Sequence, residues 1–384
     1  MNRLRPLLIL GTRPEAIKMS PVIMECRNRP REIDAIVCST GQHREMLRQV
    51  TDYFEITIDL DLGLMRPNQT LGGLTARCLT GLEDAIGQYA PDCVVAQGDT
   101  TTVMAASLAA FYHRIPFVHV EAGLRTGNLQ APWPEEMNRR VAGIVADLHC
   151  APTQRAADAL LKEGTRPETV HVSGNTVIDA LLWTVARERH NSTQWDEKYA
   201  FLQDRRMVLI TGHRRENFGG GFENICQAIS TLASRFPETD FVYPVHLNPN
   251  VQAPVNSILG GLSNVHLVPP APYPEFVWLM DRSSVILTDS GGVQEEAPSL
   301  RKPVLVMRDT TERPEAVESG AVELVGTSID AIIGGVSTLL SDAGEYAKRQ
   351  IDVNPYGDGN AARRIVDTML AMSWQSSQPL RQAG

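Results

Sequence analysis

The stretch Pro6-Leu7-Leu8-Ile9-Leu10-Gly11-Thr12-Arg13-Pro14-Glu15-Ala16-Ile17-Lys18 decides the fold. Its apolar run does not alternate, which suits a strand buried on both faces, as in a parallel sheet. Gly11 ends the run. Thr12 and Glu15 have the spacing of a capping box, and Pro14 is tolerated in a first helical turn. Strand, tight turn and helix make one βα unit, and the chain repeats it. Further short apolar runs lie at 35–39, 93–97, 117–120 and 170–172, then at 207–211, 241–244, 265–268, 285–288 and 304–307. Helical patterns fall between them, for example at 72–89, 101–112 and 223–235. The alternation predicts an α/β fold with parallel sheets.

A chain of 384 residues suggests two domains. The expected boundary lies in 172–200, where a strand ends at Ser173-Gly174-Asn175, a helical pattern and a polar stretch follow, and a new first strand begins at Met207. The expected domains are 1–173 and 174–360, each a doubly wound Rossmann-like sheet. Such sheets bind ligands at the carboxyl ends of their strands, and two facing each other make a cleft.

A formal net charge of −9 argues against non-specific nucleic-acid binding, which needs a basic face. No apolar run reaches the ~18 residues of a membrane span, and the apolar stretch at the N-terminus is too short for a signal peptide. A cytoplasmic protein is expected. Cys26, Cys38, Cys78, Cys93, Cys150 and Cys226 form no C-x-x-C pair, so buried free thiols are expected and a zinc site is not.

Five strings carry chemistry. At Gly11–Lys18 a helix start offers amides and a positive dipole end to an anion, Arg13 adds a phosphate fork, and Lys18 lies a turn further on. The plain alternative is a turn with solvated charges. Gln97-Gly98-Asp99-Thr100-Thr101 puts a carboxylate after a strand, either as an N-cap or as a functional group. In His119–Thr126, Glu121 ends a buried strand, where a bare carboxylate is costly unless paired or used. Glu135 follows Pro132-Trp133-Pro134 at a helix start, where negative charge is favourable in any case. Three carboxylates converging would split their pKa values, as acid–base work requires. In the second half, His213 follows Thr211-Gly212 at a strand end. Ser290-Gly291-Gly292 then separates a strand from a helix, so that backbone amides can approach a diphosphate, and Glu296 lies further along to accept ribose hydroxyls.

Taken together, Gly11–Lys18, Gly41–Leu47, Gly98–Thr100, His119–Thr126, Pro132–Arg139, Gly212–Asn217, Asp289–Pro298 and Thr311–Ala316 resemble the non-hydrolysing UDP-N-acetylglucosamine 2-epimerases. The resemblance implies the two-domain glycosyltransferase-B fold, with a C-terminal helix at about 361–384 crossing back onto the first domain, and a homodimer. It implies uridine near Phe276, diphosphate at Ser290, Gly291 and Gly292, ribose at Glu296, and positive charge from Arg13 and Arg313. It further implies an activator site formed by Gln42, Glu45, Glu136, Arg214 and His246. The implied reaction breaks the bond from carbon 1 to the UDP oxygen with loss of the carbon 2 proton. UDP and 2-acetamidoglucal result, and the pieces rejoin with carbon 2 inverted. Asp99, Glu121 and Glu135 would move protons, Lys18 would orient them or the leaving group, and His213 would assist the departing diphosphate. No step calls for a metal or redox cofactor. The rivals are a hydrolysing 2-epimerase, a glycosyltransferase of the same fold, and a silent UDP-sugar sensor.

Overall fold

A computed structural model of the chain describes residues 3–41, 44–66, 69–202 and 204–374. The chain divides into two compact units. Leu181–Pro355 forms the second, and the described residues on either side of it in sequence form the first.

In the first unit the parallel strands are β1 (Pro6–Leu10), β2 (Ile36–Ser39), β3 (Leu60–Asp61), β4 (Cys93–Gln97), β5 (Phe117–Val120), β6 (Leu148–Ala151) and β7 (Val170–Val172), in the order β3-β2-β1-β4-β5-β6-β7. All residues of β1, β2, β4, β5 and β6 are buried, as expected of strands sandwiched between helix layers. Direction along the sheet reverses between β1 and β4. That is the switch point at which the loops diverge and leave a crevice beyond the carboxyl ends. Gly11 follows β1 and Gly98-Asp99 follows β4, so both strings flank this point. The helix Ala361–Ala371 packs on the helix Arg13–Arg27, burying Ile365, Val366 and Met369. Arg29 pairs with Asp367 at 2.6 Å, and Asp179 accepts the amides of Ala361 and Ala362 at 3.2 and 2.8 Å. Burial pushes the Asp179 carboxyl up to about 6, against the pull of those two amides.

The second unit holds β8 (Arg206–Thr211), β9 (Thr239–Pro244), β10 (Val265–Val268), β11 (Val285–Thr288), β12 (Val304–Val306) and β13 (Val322–Leu324), all parallel, in the order β10-β9-β8-β11-β12-β13. Its switch point lies between β8 and β11, where Gly212-His213 and Asp289-Ser290 emerge. The core under it joins Val208, Ile210, Phe222, Tyr243, Leu287 and Leu305.

The six cysteines are buried and form no disulfide. Among the described residues, no helix is long and apolar enough to cross a membrane.

Candidate active site

At the end of β1 the structure corrects one expectation. The amides of Gly11 and Thr12 do not stand open to an anion, because the chain's own Glu15 Oε2 accepts both, at 2.7 and 3.1 Å. The turn is so close that a Cβ on Gly11 would stand 2.5 Å from that oxygen and 2.6 Å from Thr102 Oγ1. Glu15 is 3% exposed, and burial raises its pKa to about 7, although Thr100 and the two amides pull it down. Arg13 is half-buried beside it.

Lys18 lies one turn along the same helix and donates to both oxygens of Glu121, at 2.7 and 2.6 Å. Gln97 Nε2, at the end of β4, donates to Glu121 Oε2 as well. The Glu121 side chain is 5% exposed, so the costly bare carboxylate anticipated at this strand end is in fact paired. Its backbone has φ +61°, in the left-handed region that a non-glycine residue rarely adopts. Gly123 follows with φ +93° and packs so tightly that a Cβ would meet Ala156 O at 2.2 Å.

Asp99 is not an N-cap. Thr100 caps the helix Thr101–Tyr112, accepting from Val103 N at 3.4 Å. That leaves the Asp99 carboxylate to Arg139, whose Nε and Nη2 reach Oδ2 at 2.9 and 2.8 Å. The Asp99 carbonyl accepts from Asn138 at 2.8 Å. His119 lies beneath, 1% exposed. Its Nε2 meets the Gly98 carbonyl at 2.7 Å, and burial drives its pKa down to about 3, so the ring is a neutral donor.

The helix Glu135–Val145 opens with two adjacent glutamates in opposite situations. Glu136, expected at an activator site, is 0% exposed. It accepts the amides of Thr126 and Gly127 at 3.1 and 3.3 Å and faces Arg139 Nη1 at 3.2 Å. Burial would raise its pKa, but those amides and Arg139 outweigh it and hold the carboxyl below its ordinary value. Its geometry is that of a clasp on the loop after Glu121. Glu135 is half-buried, and among the described residues its side chain makes no hydrogen bond or ion pair.

In the second unit the fully buried Asp289, which follows β11, organises the turn after β8. Its Oδ2 accepts the amides of His213 and Arg214, each at 2.8 Å, and its Oδ1 lies 3.3 Å from His213 Nδ1. Burial lowers the His213 pKa, and Arg214 and His246 lower it further, against the pull of Asp289. His246, assigned to the activator set by resemblance, stacks on the His213 ring with centroids 5.7 Å apart, so the two histidines form one cluster. Arg214 is half-buried next to them, Glu45 is exposed in the first unit, and Gln42 lies outside the described residues. Ser290 precedes the short helix Gly291–Glu296. The Arg313 guanidinium carbon stands 3.4 Å from where a Cβ on Gly291 would be. Arg313 is held by Glu295 at 2.8 Å and Glu312 at 3.0 Å. Glu296 is 7% exposed, with Oε2 3.8 Å from the corresponding point on Gly292. Phe276 is half-buried on the helix Tyr273–Arg282.

The sequence strings contain Gln97, Asn138, Arg139 and Asp289, but nothing local assigned them a role. The one available signal was that Arg139 stands three residues after Glu136 on a helix, a spacing at which side chains meet.

The UDP-N-acetylglucosamine 2-epimerase family profile matches residues 24–370. The UDP-N-acetylglucosamine 2-epimerase of Yersinia pestis is 52% identical over 372 residues, 95% of this chain and 98% of that one. The enzyme of that name from Salmonella typhimurium is 52% identical over 370 residues, again 95% and 98%. A crystal structure of UDP-GlcNAc 2-epimerase from Neisseria meningitidis bound to UDP-GlcNAc superposes with a TM-score of 0.89 at 49% identity, covering 96% of this chain and 100% of that one.

Proposed function

This chain belongs to the UDP-N-acetylglucosamine 2-epimerase family, and on that premise we propose that it interconverts UDP-N-acetylglucosamine and UDP-N-acetylmannosamine without hydrolysing them. The bond from carbon 1 to the UDP oxygen breaks, its electron pair leaves with UDP, and the carbon 2 proton passes to a carboxylate. UDP and 2-acetamidoglucal result. Protonation of carbon 2 on the opposite face and return of UDP to carbon 1 complete the inversion.

The observation that carries this reading is the division of labour among the carboxylates of the first unit. Asp99 and Glu121 are fixed by ion pairs, which suits groups that hold a developing oxocarbenium-like sugar in a set electrostatic field. Glu135, with no such partner among the described residues, is free to move a proton on one face of carbon 2, and Asp99 or Glu121 serves the opposite face, since inversion needs an acid–base group on each. Lys18 sets the orientation of Glu121. In the second unit Arg313 over Gly291, with Ser290 and Gly292, supports diphosphate binding and Glu296 supports ribose binding, and Phe276, half-buried on the helix Tyr273–Arg282, is the candidate to meet uracil. Arg13 is a further candidate for the diphosphate. His213, whose Nδ1 faces Asp289, can donate to the departing oxygen through Nε2 once the ring carries its second proton. We place the activity in the cytoplasm, which suits six cysteines that form no disulfide. We also expect a homodimer, which would cover the exposed side chains of Phe111, Tyr112 and Ile144.

Incubation with UDP-N-acetylglucosamine in D₂O, followed by NMR, tests the reaction. Deuterium at carbon 2 of both nucleotide-linked epimers is the expected outcome. Release of free N-acetylmannosamine points to a hydrolysing enzyme, and an unchanged substrate refutes epimerisation.

A further inference from the structure

Arg139 touches none of the reacting atoms in the scheme above, yet three loop segments meet on it. Its Nε and Nη2 hold the carboxylate of Asp99 at the end of β4, at 2.9 and 2.8 Å. Its Nη1 holds Glu136 at 3.2 Å. Glu136 in turn grips the amides of Thr126 and Gly127, which continue the loop that begins at Glu121. The helix that supplies Arg139 also begins with Glu135. One guanidinium therefore fixes the relative placement of the strand end bearing Asp99, the loop descending from Glu121, and the helix turn bearing Glu135. Its side chain is 8% exposed, so solvent does not soften the contacts. Asn138, one residue earlier, secures the same turn by binding the Asp99 carbonyl.

We infer that Arg139 is the positioning residue of the reaction, orienting the carboxylates on which proton transfer at carbon 2 depends. The inference rests on the epimerase reading. A planar fork is required, because two donors converge on one Asp99 oxygen while a third points to Glu136. An ammonium on a flexible stem has the charge but not that geometry. A displacement of about 1 Å in a reacting group costs on the order of 10²-fold in rate. The loss should fall on turnover, since none of the contacts of Arg139 involves the diphosphate-binding elements of the second unit.

The test compares wild type, Arg139→Lys and Asn138→Ala. It uses forward epimerisation kinetics across pH, UDP affinity by calorimetry, and thermal melts. For Arg139→Lys the expected result is a kcat lower by about 10–100-fold, with KM and UDP affinity within about threefold and a displaced pH profile of kcat. For Asn138→Ala, which removes a single hydrogen bond, kcat should fall by about 3–10-fold with KM unchanged. In an Asp99→Asn background, Arg139→Lys should cost under about threefold more, because the two act as one unit. Wild-type kcat and pH profile in Arg139→Lys, with only a lower melting temperature, would make Arg139 structural and overturn the inference. Should Arg139→Lys not fold, an unaltered kcat in Asn138→Ala overturns it instead. A wild-type protein that fails to interconvert the two sugar nucleotides overturns the epimerase reading, and this inference with it.

Discussion

Replacing Glu15 by Gln should change the pH dependence of stability by a calculable amount. The Glu15 carboxyl titrates near 4.5 when free and at about 7 in the fold, because burial disfavours its charge. At about 1.36 kcal/mol per pH unit, that gap is worth about 3 kcal/mol. The folded state holds the proton more tightly than the unfolded chain. The stability associated with it is therefore complete below about pH 4.5 and is lost as pH rises through about 7. Glutamine keeps an oxygen that can accept the amides of Gly11 and Thr12, but it never becomes charged. The two proteins should be of similar stability at pH 5. The variant should gain on the wild type by about 3 kcal/mol between pH 4.5 and pH 8.5. Urea melts across that range, reported by exchange protection of the β1 amides, isolate the first unit from unfolding of Leu181–Pro355. Other titrating groups cancel in the difference between variant and wild type. A difference that stays flat from pH 5 to 8.5 would mean that the Glu15 carboxyl is not strained by burial, and the account of this turn would be wrong.

Glu135→Gln should lower kcat by roughly 10²–10⁴-fold while UDP affinity, measured by calorimetry, barely moves; near-normal turnover would remove Glu135 from the chemistry. Lys18→Met leaves Glu121 buried with Gln97 alone and should cost about 3–5 kcal/mol in urea melts, more than half of which returns in Lys18→Met/Glu121→Gln. An additive double variant would deny the pairing. Gly123→Ala meets a backbone oxygen at 2.2 Å in a left-handed conformation, so unfolding should become easier by about 2–5 kcal/mol. A melting temperature within a degree of wild type would show that the Ala156 carbonyl moves aside.

The strands that build the two sheets were legible because most are buried on both faces and read as unbroken apolar runs. The expected ends of β1, β4, β5, β7, β10 and β11 coincide with the observed ones. Three strands escaped notice for separate reasons. β3 has two residues, Leu60 and Asp61. β6 is separated by only two residues from the helix Glu135–Val145, so its few apolar residues merge with the helical pattern. β13 is an edge strand interrupted by Glu323, which pairs with Arg349. The candidate site divides in the same way. Chemistry-bearing residues at strand ends stand out, because a charge after an apolar run needs a reason. Their pairings do not stand out, because Arg139 meets Asp99 forty positions away along the chain, and Glu121 meets Lys18 across more than a hundred. That Glu136 is locked and Glu135 is not follows from the amides of Thr126 and Gly127, which sequence spacing does not reveal.

Because the helix Ala361–Ala371 completes the first unit, the second is spliced into the middle of it along the polypeptide. Leaving the ribosome, Leu181–Pro355 has all its partners before the final helix has been made. The earlier-born unit must wait, with the flank of Arg13–Arg27 that receives Ile365, Val366 and Met369 uncovered. The portion synthesised first is thus finished last, and nascent chains stalled shortly after Pro355 should recruit chaperones through that bare flank.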